Sequence, residues 1–153
     1  MIKGWFKKAE AVCVLLTIIA LTINLFRIPV SDWLMLVAFL SLSLVYLIAA
    51  YSAKQKLFNS RMPIHLETTS AFPKILVMVS FLCLSILLIG MLFHFLNFAG
   101  ADNQLMIGST AGIFMLILNA IVLRDTFPEV YQFLYARLIP LVVVGLLIYF
   151  RKF

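Results

Sequence analysis

Residues 24–32 read NLFRIPVSD and residues 94–102 read HFLNFAGAD. Each stretch closes one long apolar run and opens the next, and the two lie 70 positions apart. Read as tight turns, they divide the chain into two helical hairpins of similar design. Read as sites, they place Asn24, His94 and Asn97 near one surface of a membrane.

Outward from these turns lie four apolar runs, residues 9–26, 33–53, 75–98 and 105–123. Each is close to the roughly 17–25 residues that cross a hydrocarbon core as a helix. A fifth run, 138–150 (LIPLVVVGLLIYF), is short by itself. It reaches spanning length with FLYA upstream, provided Arg137 snorkels toward the headgroups. Of the 153 residues, 65% are hydrophobic and 12% charged, against about 45–50% and 25% in soluble domains. A soluble fold is excluded. The expected architecture is all-α: a polytopic integral membrane protein with two parallel-repeat transmembrane hairpins and a fifth C-terminal helix. The units are 1–56 and 75–124 for the hairpins, 57–74 for a cytoplasmic linker, and 125–153 for the C-terminal connection and helix.

The basic start MIKGWFKK resembles the opening of a signal peptide. The helix that follows ends without a small-residue cleavage pattern and is too long, so a retained helix is expected. Cys13 and Cys83 each fall inside an apolar run and read as small packing residues. Nine of the twelve Lys and Arg residues fall on one side if the N-terminus is cytoplasmic, which fixes the expected orientation in a bacterial cytoplasmic membrane. The net charge of +6 then needs no nucleic acid, because anionic lipid headgroups are sufficient partners.

Shifting the sequence by 70 residues places Cys13 on Cys83, Asp32 on Asp102 and Lys54 on Arg124. The same shift pairs Ala20 with Gly90, Asn24 with His94, and Ala38 with Gly108. One offset that matches both helix ends and both turns favours duplication of a hairpin, in parallel orientation. Pro29 and Gly100 suit the turns, and Asp32 and Asp102 are placed to cap the second and fourth helices. The linker contains NSRMPIHLETTSAFPK, where Pro63 and Pro73 discourage regular helix. It reads as an exposed connection able to dock a partner.

Polar residues within spans are costly and are site hypotheses by default. If the hairpins pack about a pseudo-twofold axis, Asn24, His94 and Asn97 converge in a shallow vestibule near the outer surface. The alternative is that they, like Asn119, simply hydrogen-bond between helices. GSTAG at 108–112 sets Gly108 and Gly112 four apart, the small-residue spacing of a close helix contact. No H-E-x-x-H, metal-spaced Cys pair, G-x-S-x-G or phosphate loop is present in the sequence, and His65 and His94 fall on opposite sides of the membrane. An enzyme, a metal and a cofactor are therefore not expected.

The turns carry a further pattern. Asn24, Arg27, Ile28, Pro29, Val30 and Ser31, and again His94, Asn97, Phe98, Ala99, Gly100 and Ala101, align by class with a K-x-x-H-W-P-G-A turn. In this the chain resembles the transmembrane hairpin of the gliding-motility motor protein GldL and small bacterial membrane proteins similar to it. The resemblance implies tandem hairpins with a short C-terminal helix. Motor chemistry would require a carboxylate within the second helix, where this chain has Tyr46 and Leu116. Glu10 is placed at the cytoplasmic start of the first helix, and the other carboxylates lie in or beside connections. The expected function is a non-catalytic subunit or scaffold that packs with copies of itself or with a larger membrane complex. The alternative is a channel or carrier for a small solute, proton or lipid through the Asn24, His94 and Asn97 vestibule.

Overall fold

The computed structural model describes residues 2–26, 31–54, 71–124 and 127–150, which form five α-helices. These are α1 (Ile2–Leu25), α2 (Ser31–Lys54), α3 (Ala71–Phe95), α4 (Ala101–Val122) and α5 (Pro128–Phe150). The all-α expectation holds. In hydrocarbon every backbone N–H and C=O must be satisfied within the chain, and uninterrupted helices do this. Four of them, α2 to α5, are each long and apolar enough to cross a membrane, and α1 has 24 residues. Arg27, Ile28, Pro29, His65, Pro63, Asp125 and most of the linker lie outside the described residues.

Contacts set the order and direction of the helices. Tyr46 meets Glu10, and Asn24 meets Met35, so α2 runs back along α1. Ser43 meets Ser85 and Tyr46 stacks near Phe81, which makes α3 antiparallel to α2. Asn119 meets Ser80 and His94 meets Asp102 across α3 and α4. Tyr135 meets Leu116 and Tyr149 meets Met106 across α4 and α5. Direction thus alternates through the chain. One end of the bundle carries the start of α1 with Lys8, Lys74 and Arg124, and the other carries the end of α1, the turn between α3 and α4 and the end of α5. We call these the basic face and the turn face.

α3 is the central helix, packed against α2, α4 and α5. Its composition explains this. It has small residues where neighbours come close and Leu, Phe and Met elsewhere, with Phe81, Leu84, Leu87, Leu88 and Met91 almost fully buried. At Gly90 an added Cβ would meet the Leu105 Cα at 3.2 Å, and at Gly108 it would meet the Leu87 Cα at 3.1 Å. Backbones approach here because no side chain stands between them, the usual means of close packing between helices in lipid.

The outside of the bundle is apolar as well. Leu15, Ile18, Leu44, Ile107, Phe114, Ile121 and Leu147 are among many large exposed hydrophobics, a surface incompatible with a soluble monomer. Trp33 and Tyr51 are exposed near opposite ends of α2. They are 18 residues and so about 27 Å apart along the axis, close to the roughly 30 Å of a hydrocarbon core, and such rings favour its two boundaries.

The helix bounds also adjust the reading of the sequence. α3 begins at Ala71, not 75, and includes Pro73 in its first turn, where the missing N–H would have no partner in any case. α5 begins at Pro128 for the same reason and has 23 residues, so its length needs no snorkelling Arg137. Under the 70-residue offset the ends of α1 and α3 (Leu25, Phe95) coincide, as do the starts of α2 and α4 (Ser31, Ala101).

Candidate functional site

The turn residues come first. Asn97 has φ of 54°, a left-handed conformation that Asn tolerates better than most residues. Its N–H bonds to the His94 carbonyl at 3.1 Å, and the N–H of Phe98 bonds to the Phe93 carbonyl at 2.9 Å. These two bonds form the Schellman ending of α3, and the usual apolar contact accompanies them: the Phe93 and Phe98 rings meet edge to face at 5.4 Å. Asn97 therefore stops a helix. Asn97→Ala should lower stability, because Ala lacks the short polar side chain whose local bonding eases the strain in Asn, but by less than the roughly 1–2 kcal/mol that a left-handed residue costs in full. Asn97→Gly should cost nothing measurable, and thermal unfolding of the two variants in detergent checks the difference.

His94 Nδ1 lies 3.2 Å from Asp102 Oδ1, across the turn. A basic group near the end of α3 and a carboxylate in the first turn of α4 both suit the helix dipoles. The cap position of α4 itself is Gly100, at φ 82°, and it has no side chain to bond with. The capping expected of Asp102 is thus amended: it sits two residues inside the turn and engages His94. Asp32 occupies the same second position in α2, exposed and in the first turn. Asn24 donates to the Met35 sulfur at 2.9 Å. Each of the three vestibule residues is thus engaged within its own hairpin. α2 packs against both α1 and α3, so it stands between Asn24 and His94.

The small-residue pair on α4 faces inward. Gly108 lies on α3 at Leu87, and a Cβ on Gly112 would come within 2.5 Å of Val142 Cγ2 on α5. Both are buried, so this face is used within the chain. Cys83 is buried in the core and Cys13 half-buried, both as free thiols.

The strongest polar cluster joins helices that the sequence reading had kept apart. Arg137 on α5 grips Glu10 on α1 with two bonds, Nε to Oε1 and Nη2 to Oε2, the second at 2.6 Å. The Tyr46 hydroxyl donates to Glu10 Oε1 at 3.2 Å. Arg137 Nη1 donates to the Phe133 carbonyl at 2.8 Å, and the guanidinium lies 3.6 Å from the Phe133 ring centre. Glu10 and Tyr46 are buried and Arg137 largely so. Tyr46 is five residues, about 7.5 Å, inward of Tyr51, so the cluster sits inside the apolar layer. Arg137 therefore does not snorkel outward, and Glu10 is not at a water-exposed helix start. A bidentate carboxylate offers each charge a better partner than a stretched path to the headgroups.

Other buried polar groups follow the same plan. The Ser43 and Ser85 hydroxyls are 2.7 Å apart, and Asn119 Nδ2 donates to Ser80 Oγ at 2.9 Å. The Tyr135 hydroxyl donates to the Leu116 carbonyl at 3.1 Å. Ser109 Oγ and Asn119 Oδ1 are buried with no bond partner among the described residues. Such contacts are worth about 0.6 kcal/mol each on average and up to about 2.

Beside the Glu10 cluster a furrow of about 460 Å³ runs between α1 and α5. Val14, Ile18 and Leu21 form one wall, Pro140 and Val144 the other, and Leu88 of α3 lies at the floor. Pro140 has no N–H, so the carbonyl of Ala136, also on the furrow, loses its usual helical donor. Among the described residues no group of three or more His, Cys, Asp or Glu side chains is placed to hold a metal ion. No family model matches the chain, and no curated protein and no solved structure is similar to it.

Proposed function

We propose that the chain is a small non-catalytic membrane subunit that works by helix packing, with copies of itself or within a larger complex of a bacterial cytoplasmic membrane. The N-terminus and the basic face are cytoplasmic in this reading, and the tandem hairpins are a duplicated GldL-like unit without motor chemistry. The observation that carries it is the distribution of packing. Over the most apolar 18 residues of each span, 61% are buried in α3 and only 22% in α5, so the edge of the bundle offers a broad apolar helix face. Most polar groups inside are meanwhile taken up by hydrogen bonds, several of them between neighbouring helices. A scaffold needs a rigid interior and a free outer surface, and the bundle combines the two.

The second reading, a channel or carrier for a small solute, proton or lipid, draws on Asn24, Asn97 and the His94–Asp102 pair near the turn face. Flux into vesicles containing the purified chain separates the two readings. The subunit reading expects no flux above empty vesicles for wild type. It also expects His94→Ala to change stability by less than about 1 kcal/mol, the worth of a partly exposed ion pair. Solute or proton flux that His94→Ala abolishes would overturn it.

A further inference from the structure

We propose that the furrow between α1 and α5 holds one acyl chain of a membrane phospholipid, inserted sideways from the leaflet on the basic face. The furrow opens laterally, because Val14, Ile18 and Val144 on its two walls are exposed. It lies inward of Tyr51, at the depth where the surrounding solvent is lipid hydrocarbon. From Glu10 to Leu21 its α1 wall extends eleven residues, about 16 Å. That is close to half of a hydrocarbon core about 30 Å thick, and so about the length of one acyl chain.

The ends of the furrow differ. At the basic face it is lined by Tyr46, Ala136 and the Glu10–Arg137 pair, and toward the turn face by Leu21 and Val144. An amphiphile with its polar end at the basic face matches this gradient. A helix lying in the furrow is opposed at one end, where the bond from Arg137 on α5 to Glu10 on α1 bridges the two walls. An empty furrow would forfeit the dispersion contacts of its walls.

The inference goes beyond the subunit reading and stands or falls separately, since a chain that carries a lipid can be alone or assembled. The test is native mass spectrometry of the full chain, taken from vesicles of phosphatidylcholine and phosphatidylglycerol into mild detergent. One phospholipid should stay on each chain through detergent exchange. Ile18→Trp and Val144→Trp fill the mouth from opposite walls at exposed positions and should each lower retention by about tenfold, a change of about 1.4 kcal/mol in affinity. Ile107→Trp, exposed on α4 away from the furrow, should retain the lipid as wild type does. Two variants guard against one failing to fold, which helical circular dichroism reveals. No retained phospholipid on wild type, or equal retention in both filled variants and wild type, overturns the proposal. So does a protein segment crosslinked at position 144 in place of lipid.

Discussion

Arg137→Met should lower the free energy of unfolding by about 3–5 kcal/mol, because it leaves the Glu10 carboxylate buried without its charged partner. Glu10→Leu should cost a similar amount for the opposite reason, leaving the guanidinium among apolar residues. The double variant Glu10→Leu/Arg137→Met should recover most of the loss, since a buried ion pair exchanged for packed hydrophobic groups is often neutral. Tyr46→Phe removes only one hydrogen bond and should cost no more than about 2 kcal/mol. Denaturation in mixed micelles gives all four values. A double variant no better than the sum of the singles would show that the two charges do not meet. The cluster matters because it ties the first helix to the last, 127 residues apart in sequence.

The second large effect is expected at the seam between α3 and α4. Gly108→Val places a branched side chain where even a single Cβ would lie 3.1 Å from the Leu87 Cα. Backbone cannot turn aside as a side chain can, so the helices must separate. Overpacking of this kind costs about 1–3 kcal/mol, and occasionally more. The readout also decides what the glycine spacing is for. Because Gly108 and Gly112 face α3 and α5 of the same chain, the loss should appear in the unfolding of the single chain at any protein concentration. A loss that scales with protein concentration would mean that the glycines join separate copies.

The helical hairpins were legible in the sequence because a membrane leaves few choices: a long apolar run must satisfy its own backbone. The turn between α3 and α4 was legible too, since Asn97 ends one helix and Gly100 stands at the cap of the next. Asn97 carried two readings because a left-handed backbone at a helix end draws on the same polar residue types as a binding site. The Glu10, Tyr46 and Arg137 cluster was missed for a different reason. Each residue was weighed on its own helix, where a charge a few residues from the end suggests snorkelling. A signal was present: opposite charges, each one to three turns inside a different apolar helix, at the same face of the bundle. Whether α1 and α5 adjoin depends on tertiary packing, which hydropathy does not encode. The 70-residue offset pairs only residues of the first four helices, and the fifth has no counterpart in it.

The central claim is that the outer helix faces serve assembly. The most direct measurement is the mass of the intact particle, extracted in mild detergent from the native membrane with the chain tagged at its own locus. The account predicts a discrete assembly, either several copies or a stoichiometric second membrane protein, well above the 17.3 kDa of one chain. A single chain bearing only lipid and detergent, under conditions that keep other membrane complexes intact, would contradict it.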